Sequence, residues 1–383
     1  MVGARDHHVG RSQPDPATAP PPADATQLID NLILDPFHGG SHAYVTSLVS
    51  RFLPGVTRIE TLGSHLFKWR MGVASLWFAD IIQREALEPK LLITTDMLDL
   101  SRLKGLCGER LHRAQSVLIM HENQLSYPRR ASEREDLHLG LTNLFSCWVA
   151  DLIWWNSQHH YDLFMEHAER FIGLFPKRVP SDLLERIRER SVVLGLPLDL
   201  DELRSFRRPA GSPRPPGRLR IAWNHRMQHD KNPDRLFGWL HGLAQQGLDF
   251  ELHLLGPRHQ PAPEVLSTLA ERVIDHQFPE RRPYLELLSR CDVVVADPAQ
   301  EHFGLSVAEA VQLGLWPIVR HGLCYPEWIP EDLHSDCLFS NQRTFEALVY
   351  AAADQPERRC ETLYDRFAAP QVVAQLCERL SSR

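Results

Sequence analysis

Two glutamates eight positions apart bracket the run Glu301-His302-Phe303-Gly304-Leu305-Ser306-Val307-Ala308-Glu309. The apolar stretch Val294-Val295-Ala296 leads into it, and Leu305, Ala308, Val311 and Gln312 recur behind it at helical spacing. A buried parallel strand, a loop and a helix are expected, with Glu301 at the strand's carboxyl end and Glu309 on the first turns of the helix. Ligands of open α/β sheets bind at that edge. A helix N-terminus offering the amides of Phe303 and Gly304 favours an anionic or polyhydroxylated ligand. The chemistry indicated is the holding of a nucleotide sugar. A hydrolase would instead set two carboxylates on either side of a scissile bond. One glutamate before a helix and one two turns into it suit hydroxyls laid along a ligand better.

Further polar residues fall at other strand ends. Arg226 and Lys231 flank a loop in Trp223-Asn224-His225-Arg226-Met227-Gln228-His229-Asp230-Lys231-Asn232-Pro233. Two cations there can hold a diphosphate leaving group as its charge develops. Asp35-Pro36-Phe37-His38-Gly39-Gly40-Ser41-His42 ends the first strand. Gly39 and Gly40 would let the backbone approach a ligand, although a tight turn capped by Ser41 accounts for them almost equally well. The run is neither a dinucleotide fingerprint nor a P-loop. Met120-His121-Glu122-Asn123-Gln124 closes another strand, as groups meeting substrate do or as a loop bonded within itself does. The pairs His38/His42 and His225/His229 have no third ligand at a familiar spacing, so no metal site is expected.

These residues need two sheets to position them. Apolar runs alternate with amphipathic segments, the pattern of parallel sheets covered by helices. Strands are expected at 32–34, 58–62, 91–94, 117–120, 152–155 and 192–194, with helices at 42–53, 70–84, 133–147 and 158–168. A second series has strands at 219–223, 250–255, 272–274, 293–296, 316–320 and 338–339. Its helices fall around 233–246, 263–271, 281–290, 305–313 and 342–353. Residues 1–27 read as a disordered tail rich in Pro and Ala, and 204–217 as a breaker-rich linker. The expected domains are 28–203 and 218–357, with a helical segment 358–383 packing back toward the first. A ligand cleft is expected between them.

At 383 residues the chain is long enough for two α/β cores. No apolar run approaches a membrane span and no secretory signal leads the sequence. Seven scattered cysteines suggest reduced thiols in the cytoplasm. The net charge of −7 argues mildly against broad nucleic-acid binding. Arg204 to Arg220 nevertheless holds six arginines and no acid. Such a path can hold RNA phosphates, and a solvated linker is the plainer account of it.

Taken together, Glu301/Glu309, Arg226/Lys231 and Gly39/Gly40 resemble the motifs of retaining glycosyltransferases of the GT-B fold, two Rossmann-like domains facing a cleft. His38-Gly39-Gly40-Ser41-His42, Lys68-Trp69-Arg70, His121 to Pro128, His229-Asp230-Lys231 and Tyr325-Pro326-Glu327 are similar to those of the tRNA-queuosine α-mannosyltransferase family. That resemblance implies transfer of mannose from GDP-mannose to the cyclopentene-diol of queuosine in an aspartate tRNA, with no metal or other cofactor. It implies donor contacts from Gly39, Gly40, Phe303, Gly304, Leu305 and Glu309, with Glu309 on the ribose and Glu301 on the sugar. Arg226 and Lys231 would neutralise the diphosphate, and His121 would touch the transferred sugar. His38, His42, Lys68, Trp69, Arg70, Glu122 and Asn123 would lie on the acceptor side. Retention would follow from same-face attack assisted by the leaving phosphate, without a protein nucleophile. A lipid, glycan or small-metabolite acceptor is the alternative, for which Leu66 to Met71 with Trp77 and Phe78 is the candidate membrane-facing stripe. A non-catalytic nucleotide-sugar or RNA-binding module is the alternative outside the enzymes.

Overall fold

The computed structural model describes residues 27–127, 137–175, 179–209, 218–258, 260–355 and 358–382. Residues 1–26 of the expected tail, Pro128 and most of the linker lie outside them, while Gln27, assigned to the tail, begins the first strand. Among the described residues twelve strands form two sheets, and every pairing between them is parallel. The first holds β1 (Gln27–His38), β2 (Thr57–Gly63), β3 (Leu87–Thr95), β4 (Gln115–Met120), β5 (Leu152–Trp155) and β6 (Ser191–Val193), in the order β2-β1-β3-β4-β5-β6. The second holds β7 (Leu219–Trp223), β8 (Phe250–Leu254), β9 (Val273–Asp275), β10 (Val293–Ala296), β11 (Trp316–Arg320) and β12 (Leu338–Phe339), in the order β12-β11-β10-β7-β8-β9. Strand order reverses between β1 and β3 in one sheet and between β7 and β10 in the other. Those two switch points are where such sheets bind ligands.

Successive strand side chains alternate between faces. Leu32, Leu34, Ile153 and Trp155 fill the core on one face of the first sheet. Ile33, Leu152 and Trp154 on the opposite face join a second core, which continues through Leu194, Leu196 and Leu198 into the second sheet. Apolar packing thus runs from one domain into the other. The helix Ala369–Ser381 buries Val372, Val373 and Leu376 in this core and packs on the helix Gly40–Phe52 of the first domain.

The structure departs from expectation at several elements. The helix after β1 begins at Gly40, and its N-cap is Gly39 with no side-chain cap, so Ser41 is not the cap. The helix Leu200–Phe206 covers the first residues assigned to the linker, because Asp199 accepts the amide of Glu202 and caps it. The segment expected to be helical at 263–271 is a 3-10 turn, Glu264–Leu269. Among the described residues no helix is long and apolar enough to cross a membrane.

Candidate active site

The loop after β7 is shaped by a 3-10 turn, His229–Lys231. Asn232 follows in the left-handed region (φ 48°), which asparagine tolerates, and Pro233 opens the next helix where a missing N–H costs nothing. Asn232 Nδ2 donates to the Asp297 carbonyl (2.8 Å), and the Ala299 amide donates to that of Asp230 (2.7 Å). These bonds bind the β7 loop to the β10 loop and bring Lys231 Nζ to 3.1 Å from Glu301 Oε2. Burial opposes ionisation of Glu301, but Lys231 outweighs it and holds the carboxyl at about 2. Burial likewise opposes the Lys231 charge, and Glu301 and Asp230 more than restore it. Arg226 is exposed and makes no ion pair among the described residues. Its charge acts on His42 and Glu122 of the other domain.

Glu301 also holds its own loop, since Oε1 accepts the amides of His302 (3.3 Å) and Gly304 (3.1 Å). The Gly304 amide expected to meet the donor is therefore engaged by the motif's first carboxylate. Gly304 sits at φ 79°, and a Cβ there would come within 2.9 Å of the Tyr325 ring, so glycine is required on both counts. Leu305 starts the helix Leu305–Gln312. The side chain of Phe303 belongs to the core, packed on Trp328 (5.3 Å) and Phe367 (5.1 Å). Only its backbone remains for a ligand.

Glu309 is in a different state. Arg281 Nη1 lies 2.5 Å from Oε1, and the Tyr284 hydroxyl donates to Oε2 at 3.2 Å. Arg281 also binds Glu202 in the helix between the domains (2.7 Å) and lies over the Tyr44 ring (5.1 Å). Burial raises the Glu309 carboxyl above its usual range against the pull of Arg281.

On the facing wall, His42 stacks on His121 with ring centroids 4.1 Å apart. Burial drives His42 well below the ordinary histidine value and His121 down to about 3, so both are neutral. Gly39 is extended, and a Cβ there would strike the Ser64 side chain. Asn123 Oδ1 accepts the Ser126 amide (2.9 Å), the loop-bonding alternative for this run. Lys68 and Trp69 point outward on the first turn of the helix Phe67–Arg84, whereas Arg70 folds back onto the Gly63 carbonyl (3.1 Å). Polar atoms buried without partners among the described residues gather on both walls. His42 Nδ1, Asp96 Oδ2, His121 Nε2 and Asn123 Nδ2 lie on one; His225 Nε2, His302 Nδ1 and the Tyr325 hydroxyl lie on the other. Buried groups of this kind call for a ligand or water.

Sequence reasoning did not single out Asp96, Asp35 or His160 as site residues, and gave Glu327 only within a family run. Asp96, after β3, is fully buried and takes the His121 amide at 2.9 Å; burial pushes its carboxyl well up. Asp35 binds His38 Nδ1 at 2.8 Å. His160 stacks on His302 of the other domain at 3.8 Å, and its Nδ1 meets Asn156 Oδ1 at 2.8 Å. Glu327 crosses the interface to accept the Gln158 (2.8 Å) and His159 (2.6 Å) amides at the start of the helix Gln158–Ile172, where a carboxylate is favoured. The signal for Asn156 and His160 was the same as for His121: a polar cluster directly after the apolar strand Leu152–Trp155. Among the described residues no three His, Cys, Asp or Glu side chains converge as metal ligands.

Comparison with known proteins agrees with this geometry. Residues 30–198 match the family described as tRNA-queuosine alpha-mannosyltransferase N-terminal, and residues 208–349 match glycosyl transferases group 1. The chain is 28% identical over 355 residues to a tRNA-queuosine alpha-mannosyltransferase of Drosophila melanogaster, covering 89% of this chain and 94% of the fly protein. The fold is similar to sucrose-phosphate synthase from Thermosynechococcus elongatus (TM-score 0.65, 13% identity, 92% of this chain and 98% of that one). It is similar also to the catalytic domain of starch synthase IV from Arabidopsis thaliana (TM-score 0.65, 11% identity, 93% and 99%). Two parallel-sheet domains across a cleft are the GT-B architecture of those glycosyltransferases.

Proposed function

From the premise that this chain is a glycosyltransferase belonging to the tRNA-queuosine alpha-mannosyltransferase family, we propose that it transfers mannose from GDP-mannose to the cyclopentene-diol of queuosine in aspartate tRNA. The observation that carries the reading is the meeting of unpartnered buried polar atoms from both walls around Arg226 and Lys231. A sugar diphosphate offers hydroxyls to the first and negative charge to the second. Arg226 and Lys231 stabilise the diphosphate as it leaves, which is the electrostatic work a divalent ion would otherwise do, so the transfer needs no metal. Glu301, ionised and fixed by Lys231, takes sugar hydroxyls, and His121 approaches the sugar from the first domain. Glu309 receives the ribose hydroxyls in exchange for its bond to Tyr284. The acceptor hydroxyl attacks on the face the phosphate leaves, with retention and no protein nucleophile.

The acceptor side is the first domain. Trp69 is 68% and Trp77 57% exposed on the helix Phe67–Arg84, whose first turn lies at the carboxyl edge of the sheet beside Lys68. Exposed aromatic rings next to cations suit the unstacked bases of an anticodon loop. This acceptor places the protein where tRNA is, in the cytoplasm. Incubation with GDP-mannose and queuosine-containing tRNA is expected to add one hexose to the nucleoside, read by mass spectrometry; an unchanged mass overturns the reading. The stripe Leu66, Trp69, Val73, Leu76 and Trp77 also favours a second reading, a lipid acceptor. Co-sedimentation with vesicles in the absence of affinity for tRNA would select it.

A further inference from the structure

Contacts to the donor do not decide which acceptor the cleft admits. We propose that Glu122, backed by Asp96, binds the cation that the acceptor itself carries, the protonated secondary amine linking the cyclopentene-diol of queuosine to its deazaguanine ring. This rests on the transferase reading above.

Glu122 follows His121 after β4, is half-buried, and its carboxyl makes no hydrogen bond or ion pair with any described residue. Asp96 follows β3, the neighbouring strand, with its side chain fully buried. The two strand ends are tied to each other. The Asp96 amide donates to the Ile119 carbonyl (3.0 Å), and Asp96 Oδ1 accepts the His121 amide (2.9 Å). Asn143 clamps both loops, its Nδ2 donating to the Asp96 carbonyl (2.9 Å) and its Oδ1 accepting the Gln124 amide (2.8 Å). Asp96 Oδ2 is left buried without a partner, as are His121 Nε2 and Asn123 Nδ2 on the same wall. A wall that leaves a carboxylate and three buried polar atoms unanswered is built for a ligand.

Two carboxyls within reach of each other compete for one proton. Burial, and then the charge of Glu122, push the Asp96 carboxyl well above its usual range, so Asp96 holds that proton. Burial raises Glu122 as well, while Arg226 and Lys231 of the second domain favour its charge and Asp230 and Glu301 oppose it. Two cations and two carboxylates largely cancel. A sugar diphosphate adds negative charge beside Arg226 and Lys231, which leaves Glu122 short of a counter-ion. A carboxylate shielded from water without one is costly, and an acceptor that brings its own cation removes the cost. Queuosine does so, because its diol is joined to the base through an alkyl secondary amine, protonated at neutral pH as alkyl amines are. Neutral hydroxylated molecules bring no such charge, and the same carboxylate discriminates against them.

The site also lies on the acceptor's path. Asp96 stands next to the switch between β1 and β3, and the helix Phe67–Arg84 begins at the same carboxyl edge with Lys68 and Trp69. A queuosine arriving along that edge carries its amine between the base and the diol. Glu122 therefore fixes the arm at its middle and leaves the hydroxyls ahead of it for the donor. It binds and orients but takes no proton, so the leaving phosphate keeps its part in the same-face attack.

The test compares the full chain with Glu122→Gln, using GDP-mannose and three forms of queuosine-containing tRNA: native, amine-acylated and amine-methylated. Acylation turns the amine into an uncharged amide and is expected to lower wild-type kcat/KM about 10²-fold through the KM for tRNA, with the donor KM unchanged. Methylation adds bulk but keeps the charge, and is expected to cost less than about fivefold. Glu122→Gln is expected to lose about 10²-fold on native tRNA and to be nearly indifferent to acylation, because both changes remove one contact. A merely structural role would lower activity on the native and acylated forms alike. The inference is overturned if the wild type uses the amide within about threefold of the amine, if methylation costs as much as acylation, or if Glu122→Gln keeps the full preference for the amine. A wild type that adds no hexose to native tRNA overturns the transferase reading instead. Equilibrium binding of the native and acylated tRNAs then judges the site, and equal affinities overturn it.

Discussion

Glu301 and Glu309 are two residues of one motif on one strand-loop-helix unit, yet their surroundings push them in opposite directions. Glu301 is bound to a buried lysine and held at about 2, so it is a fixed negative charge in the cleft. Glu309 is raised by burial, and its oxygens are occupied by Arg281 and Tyr284. The first is joined, through Lys231, to the loop after β7. The second is joined, through Arg281, to Glu202 between the domains and to Tyr44 in the first domain. Sequence spacing makes the two look equivalent. The difference leaves Glu301 an ionised carboxylate paired with Lys231 and ties Glu309 to the contact between the domains.

The strongest way to break this comparison is to remove the lysine. Lys231→Ala is expected to lower kcat about 10³-fold while donor affinity, measured by titration calorimetry, changes much less, because the lysine acts on charge that develops at departure. Donor binding and turnover falling together would make Lys231 a binding residue. Next, Glu301→Gln is expected to lower kcat about 10²-fold and to destabilise the fold by about 2 kcal/mol, since it leaves Lys231 buried with Asp230 as its remaining carboxylate. Urea denaturation checks the second figure. Glu309→Gln should differ on both counts: kcat within a few-fold, donor KM raised about tenfold, and stability changed by less than about 1 kcal/mol, because Arg281 keeps Glu202. Equal effects from the two substitutions would dissolve the distinction.

A further expected effect is a pH dependence of stability. His121, His302 and His225 have folded values of about 3, 3 and 4, below the ordinary 6.5. The unfolded chain therefore binds more protons as pH falls, and stability that is complete above about 6.5 is lost progressively toward about 3. Glu301, depressed from 4.5 to about 2, adds stability above 4.5 that is lost as pH falls through that lower window. Glu309, raised, has the opposite sign and contributes nothing to this loss. Denaturation midpoints at pH 7.5, 6.0 and 5.0 are expected to decline in order. A midpoint unchanged down to pH 5.0 would show that these histidines are not buried neutral.

Most strands were legible in the sequence, since a strand covered on both faces is an uninterrupted apolar run: Leu152–Trp155 and Val293–Ala296 stand where the pattern put them. Helix starts were less so, and the helix after β1 begins at Gly40 without the help of Ser41. The meeting of Glu301 with Lys231 was foreshadowed by their strand-end positions, which put both at one edge of the second sheet. Asp35 and Asp96 were not legible, since a buried aspartate directly after a strand has no signature until its partner is known. Glu327 was visible only as part of a family run, and the amides it caps belong to a helix nearly 170 positions earlier in the chain.

Local order along the chain was enough to establish two parallel sheets, the loops that end them and the polar residue types those loops carry, because burial periodicity and turn chemistry act over a few residues. Which of those residues carries charge depends on contacts far apart in sequence. Lys231 meets Glu301 and His160 meets His302 after the sheets have formed and the domains have closed. Ionisation follows the dielectric and the partner supplied by that packing, and so the two glutamates of one short motif end with opposite shifts.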